Sequence, residues 1–184
     1  MTDTNKQDDL TAKQNDYAVF LPAISGFYAT FIGKQRNENY VDPARFPQGE
    51  ATKLTDMEQL NWLNSTKALF PYKWSLYSGG HANLDLSKQD WSEDMVRNRE
   101  PGSFILGDSG GFQIAKGLWE GDWRANSGCA RAQKKRELVL NWLDNIADYG
   151  MILDIPTWVI HDKKAAKACG ISTLPEAVAA TKFN

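Results

Sequence analysis

Residues 103–113 read SFILGDSGGFQ, and the parsing of that stretch decides the fold. Phe104, Ile105 and Leu106 form a continuous apolar run, the pattern of a strand buried on both faces of a parallel sheet. Pro101-Gly102 stands just ahead and stops any preceding helix, because the residue before a proline is pushed out of the helical region. Asp108 closes the run, and Gly110 and Gly111 turn the chain. A strand that ends in a carboxylate and two glycines has the form of an α/β strand end, where functional groups gather.

Working outward, strand-like and helix-like signals alternate. "YAVFLPAI", residues 17–24, predicts a first strand, and residues 26–53 read as irregular, with Gly, Asn and Pro scattered through them. Thr55 and Glu58 have capping-box spacing and predict a helix with Met57, Leu60, Leu63 and Trp62 on its apolar side. "YKWSLYSGG", residues 72–80, predicts the second strand, and Ser87 with Asp90 a helix running to about Arg99. The third strand is the opening stretch. A Trp- and Gly-rich loop over 117–132 leads to an amphipathic helix from about Gln133 to Tyr149, with Val139, Trp142, Leu143 and Ile146 on one face and Gly150 as its C-cap. "MILDIP", residues 151–156, predicts the fourth strand, and Thr173 with Glu176 caps a last helix.

Such alternation implies βαβ units and a parallel sheet. Four units suit a small open α/β sheet or the first half of a (β/α)8 barrel. Asp108 and Asp154 each follow a three-residue apolar run at a strand end. Adjacent strands lie about 4.8 Å apart, so the two carboxylates are expected to face one pocket. Either aspartate alone reads as a turn former or helix cap; the matched pair points to function.

The bulk composition sets bounds. The chain has 184 residues, enough for one domain with a real core. Residues 1–16 read as a flexible polar arm and 17–184 as one partial barrel domain. A net charge of −2 with pI near 5.7 supplies no global basic field for nucleic acid. Cys129 and Cys169 are too few for a disulfide framework, and with His81 and His161 they lack the spacing of a compact zinc site. No membrane span or signal core is present in the sequence, so a cytoplasmic protein is expected.

The turn has its own chemistry. Asp108 offers two acceptor oxygens, Gly110 and Gly111 permit close approach to backbone N–H groups, and Phe112 offers a flat face. Guanine matches that set: its Watson–Crick edge carries adjacent N–H donors, its O6 accepts, and its face stacks on aromatics. Enzymes acting on a base within a polynucleotide extrude it into such a pocket.

DSGGFQ at 108–113, with the second aspartate in MILDIP, resembles the tRNA-guanine transglycosylase family, the queuine tRNA-ribosyltransferases and their archaeal and DNA-modifying relatives. The likeness covers roughly residues 74–158, and the hexapeptide is its most specific part. It implies a (β/α)8 barrel and a transferase that exchanges guanine in tRNA or DNA for a 7-deazaguanine base. Asp108 would be the base-binding carboxylate and proton acceptor. Ser109, Gly110, Gly111 and Phe112 would complete the pocket, with Phe112 stacking, and Asp154 would be the second carboxylate. His81 lines the same mouth on this reading, or is an ordinary surface histidine.

The resemblance also implies what this half does not supply. The family's nucleophilic aspartate, its zinc site of three Cys and one His, and its main RNA-binding segments belong to the second half of the barrel. No cofactor is therefore expected here, no turnover is expected from the chain alone, and a second polypeptide or a second copy is expected to complete the barrel. A truncated or split product, a phage-encoded DNA-modifying relative, and a non-catalytic base-binding subunit all fit this reading. A nucleoside- or glycoside-hydrolysing α/β domain, with Asp108 and Asp154 as acid and base, is the alternative enzyme. The GDSGG of trypsin-like proteases is excluded by the βα alternation. Arg124, Arg131, Lys134, Lys135 and Arg136, with Trp119 and Trp123 nearby, form the one concentrated basic patch. It fits a phosphate backbone contact and equally a solvated helix start.

Overall fold

The computed structural model describes residues 18–38 and 57–184. The predicted polar arm at 1–16, and Thr55 of the first capping box, lie outside them. The chain is mixed α/β, built on a four-stranded sheet in the order β1-β2-β3-β4, with every neighbouring pair parallel. The strands are β1 (Ala23–Ile24), β2 (Trp74–Ser78), β3 (Phe104–Asp108) and β4 (Tyr149–Gly150). The helices are α1 (Gly26–Glu38), α2 (Asp94–Arg97), α3 (Gly111–Ala115), α4 (Ala130–Ile146), α5 (Lys163–Cys169) and α6 (Leu174–Phe183).

β3 forms where the apolar run predicts it. It pairs along its whole length with β2, Trp74 opposite Phe104 and Ser78 opposite Asp108. Side chains alternate across the sheet, so the two faces differ. One face carries Ser75, Tyr77, Ile105 and Gly107, all buried. The Tyr77 ring meets the Trp142 ring of α4 with centroids 6.0 Å apart. Gly107 admits α4 closely, since a Cβ there would stand 2.6 Å from Leu143 and 2.7 Å from Ala147. The other face carries an aromatic row, with Trp74 and Phe104 ring centroids 4.6 Å apart and Phe104 and Tyr149 5.4 Å apart. Tyr149 on that row is 68% exposed.

Two buried clusters divide the interior. Ala29 and Ile32 of α1 pack with Tyr77, Met95, Ile105 and Trp142. Ile114, Trp123, Leu153, Ile155, Val159 and Ala177 form the second, under α5 and α6. Burying a large apolar side chain contributes roughly 1.5–3 kcal/mol, so these clusters are the main packing support of the two layers.

Several sequence expectations are corrected. The span predicted as irregular contains α1, whose Gly33 lies against the Trp91 carbonyl where a Cβ would collide. The helix predicted after residue 55 is only a 3-10 turn, Met57–Leu60. Its Glu58 instead anchors Arg36, Asn61 and Asn64. Burial alone would push the Glu58 carboxyl pKa up, but those hydrogen bonds outweigh it and hold it low. The helix predicted from Ser87 starts later: Asp90 caps a 3-10 turn, Trp91–Glu93, that runs into α2, while the Ser87 hydroxyl donates to Asp85. α4 starts at Ala130 rather than Gln133 and ends at Ile146, so Gly150 is a strand residue and not its cap. MILDIP is no strand. Its Ile155 N–H donates to Thr181 Oγ1, and its Leu153 carbonyl accepts from Asn184 Nδ2, both toward the end of the chain. The Met151 N–H makes the last bond to β3, at the Gly107 carbonyl, and beyond it the Ile152 carbonyl accepts from Ser109 Oγ instead of continuing the ladder. The capping box at Thr173 and Glu176 forms in full.

Candidate functional site: the turn after β3

Asp108 is the last residue of β3, and its carboxylate is tied down from two sides. Ser78, its register partner on β2, donates from Oγ to Oδ2 at 2.5 Å, and the Gly110 N–H donates to Oδ1 at 3.4 Å. The Asp108 carbonyl accepts from the Gly79 N–H at 2.7 Å, stitching the two strand ends together. The chain then reverses at Gly110, whose φ of 84° lies in the left-handed region open to glycine. Trp119 leans against that glycine, since a Cβ there would come within 2.7 Å of its Cη2.

Ser109 is fully buried and donates from Oγ to the Ile152 carbonyl at 2.8 Å, joining this turn to the segment after β4. Gly111 completes the junction. A Cβ on it would stand 2.5 Å from Asp154 Oδ1 and closer still to the Asp154 carbonyl oxygen. The two predicted carboxylates are therefore brought to one turn, though Asp154 arrives on an irregular segment and not on a strand end. Partial burial pushes the Asp154 carboxyl pKa up, and the charge of Asp108 adds to that.

Phe112 opens α3 and is 53% exposed. Its ring meets Trp158, on the 3-10 segment Thr157–His161, at 5.9 Å between centroids and 58° between planes. Behind it, Gln113 is buried beneath Gly80, and its Oε1 finds no hydrogen-bond partner among the described residues. His81 is exposed and packs near Gly26.

The predicted basic patch meets this turn through Lys135, on the Trp119 ring that lies against Gly110. Arg124 pairs with Asp122 at 2.6 Å and Arg131 with Glu120 at 3.3 Å. Arg136 lies over the Trp123 and Phe183 rings and donates to the Trp123 carbonyl and to Asn184. Lys135 covers the Trp119 ring at 4.8 Å, and burial pushes its pKa down. Lys134 is exposed on α4. Four of the five side chains have partners of their own within the chain. Among the described residues no group of three His, Cys, Asp or Glu side chains stands close enough to hold a metal ion. No helix there is long and apolar enough to cross a membrane.

Sequence reading missed Ser78, Lys116 and Trp158, and it grouped Trp119 with the basic patch without seeing its contact with Gly110. Only the strand register reveals Ser78, and only the folded chain brings Trp158 beside Phe112. Comparison with protein-family models, with curated proteins and with solved structures finds no match to this chain.

Proposed function

We propose that this chain is the base-recognition half of a transglycosylase-type (β/α)8 barrel. It takes guanine, or the 7-deazaguanine that replaces it, out of tRNA or DNA into the turn after β3. The observation that carries this reading is the meeting of Asp108, Asp154 and the open Phe112 ring at one glycine turn. Asp108, held by Ser78, accepts from the adjacent N–H donors of the Watson–Crick edge. A backbone N–H of the turn serves O6, and Phe112 stacks on the ring.

The exchange is a double displacement of the kind retaining glycosidases use. A carboxylate from the other half of the barrel bonds to C1′ as the C1′–N9 bond breaks. The departing guanine takes up a proton, which Asp154, with its raised pKa, is suited to hold. The incoming base then bonds to C1′, the ester bond breaks, and the base's proton returns to the carboxylate. Hydrogen bonds from the turn spread the charge on the leaving base.

Support for the half-barrel comes from the sheet. Its strands are parallel and in sequence order, one face is covered by helices, and the other presents an aromatic row. Parallel sheets are stable with both faces covered. A partner polypeptide would supply that cover together with the nucleophile and the family's zinc, whereas a second copy would supply the cover alone.

Calorimetric titration with guanine tests the pocket. Asp108→Ala is expected to abolish binding, and Phe112→Ala to weaken it roughly 5- to 150-fold, the span for one lost stacking contact. Two variants that bind as well as the parent would retire the assignment. Base release into water, without added deazaguanine and with the completing half present, would favour the hydrolase alternative.

A further inference from the structure

Phe112, Lys116 and Trp158 form a corner that a pocket for one free base does not need. Lys116 Nζ lies 5.5 Å from the Phe112 ring centroid and 5.0 Å from that of Trp158. The rings touch at 5.9 Å and a 58° tilt, which leaves no slot for a base between them. They therefore present two separate stacking faces, with one cation where the faces meet. Trp158 also borders a groove of about 570 Å³ that starts at Asp154 and runs past Thr181 to Lys182.

We propose that this corner holds a nucleotide strand, with Trp158 stacking the neighbour of the extruded base and Lys116 pairing with the phosphodiester between them. The inference rests on guanine occupying the turn and adds the strand on either side of it. A cation over an exposed ring gains only about 0.5–1 kcal/mol, so Lys116 swings from the rings to a phosphate at small cost. The phosphate joining two nucleotides passes between their bases, and the Lys116 ammonium stands between the two rings that would hold them. The groove beyond Trp158 gives the strand its exit, and Lys182 meets the next phosphate.

The test compares guanosine with the pentanucleotide UUGUU and its DNA counterpart, titrated against the full chain over a range of salt. The pentanucleotide is expected to bind at least about tenfold more tightly than guanosine. Trp158→Ala should weaken the pentanucleotide roughly 5- to 150-fold, the span for one lost stacking contact. Lys116→Gln should reduce the slope of log K against log salt by about 0.7, the value for one phosphate on a single strand. Both variants should leave guanosine affinity within about threefold. Guanosine binding with no gain for either pentanucleotide overturns the strand corner and leaves the base pocket standing. Equal losses for guanosine and pentanucleotide in the variants also overturn the corner. Binding of neither ligand by the parent overturns both readings. A gain for one sugar chemistry alone supports the corner and identifies RNA or DNA as its strand.

Discussion

In β3 and again just after β4 the chain carries one pattern, an apolar run followed by an aspartate, and the two copies fold differently. Phe104–Asp108 is a full strand, paired with β2 along its length. Met151–Asp154 keeps one bond to β3, from the Met151 N–H to the Gly107 carbonyl, and then leaves the sheet, its Leu153 carbonyl accepting from Asn184 and the following Ile155 N–H donating to Thr181. The two aspartates differ accordingly. Asp108 sits in a rigid bracket of Ser78 and Gly110, whereas Asp154 is carried on a segment anchored by its buried neighbours Leu153 and Ile155. A strand end fixes one carboxylate, and a tethered loop brings a second with a raised pKa.

The largest expected effect comes from the contact between the two regions. Gly111→Ala puts a Cβ into the Asp154 backbone, and overpacking against backbone costs about 2–3 kcal/mol. Thermal melts should show that loss together with weaker guanine binding, and an unchanged melt would break the proposed junction. Ser109→Ala removes the hydrogen bond to the Ile152 carbonyl and should cost about 1–2 kcal/mol in denaturant titration.

Asp154→Asn has the smallest effect and the opposite sign. A carboxyl with a raised folded pKa holds its proton more tightly when folded than when unfolded. It therefore lowers stability once the pH exceeds its folded value. The variant should be slightly more stable than the parent at pH 7, by well under about 1 kcal/mol for so exposed a group. The advantage should disappear as the pH falls below the ordinary aspartate value of 3.8. A variant less stable at pH 7 would show that Asp154 is held by interactions that favour its charge.

What the sequence made legible follows the same division. β3 and its turn were readable because one local pattern, Pro-Gly, apolar run, carboxylate and glycines, agreed with the tertiary demand. The Thr173 cap was readable for the same reason. α1 was not, because its glycines and asparagine weaken local propensity, while burial of Ala29 and Ile32 and the seat of Gly33 under Trp91 decide the matter. The fate of MILDIP depended on α6, which lies later in the chain. The basic patch was visible, but its pairing with Asp122, Glu120 and the Trp rings was not.

The central claim is that the turn after β3 recognises guanine through Asp108. Titration of the parent and of Asp108→Asn with guanine and with adenine tests it most directly. The proposed pocket binds guanine in preference to adenine, and Asp108→Asn loses roughly 10- to 150-fold of guanine affinity, the range for a hydrogen bond to a charged group. Equal binding of the two purines, or guanine affinity unchanged in Asp108→Asn, would contradict it.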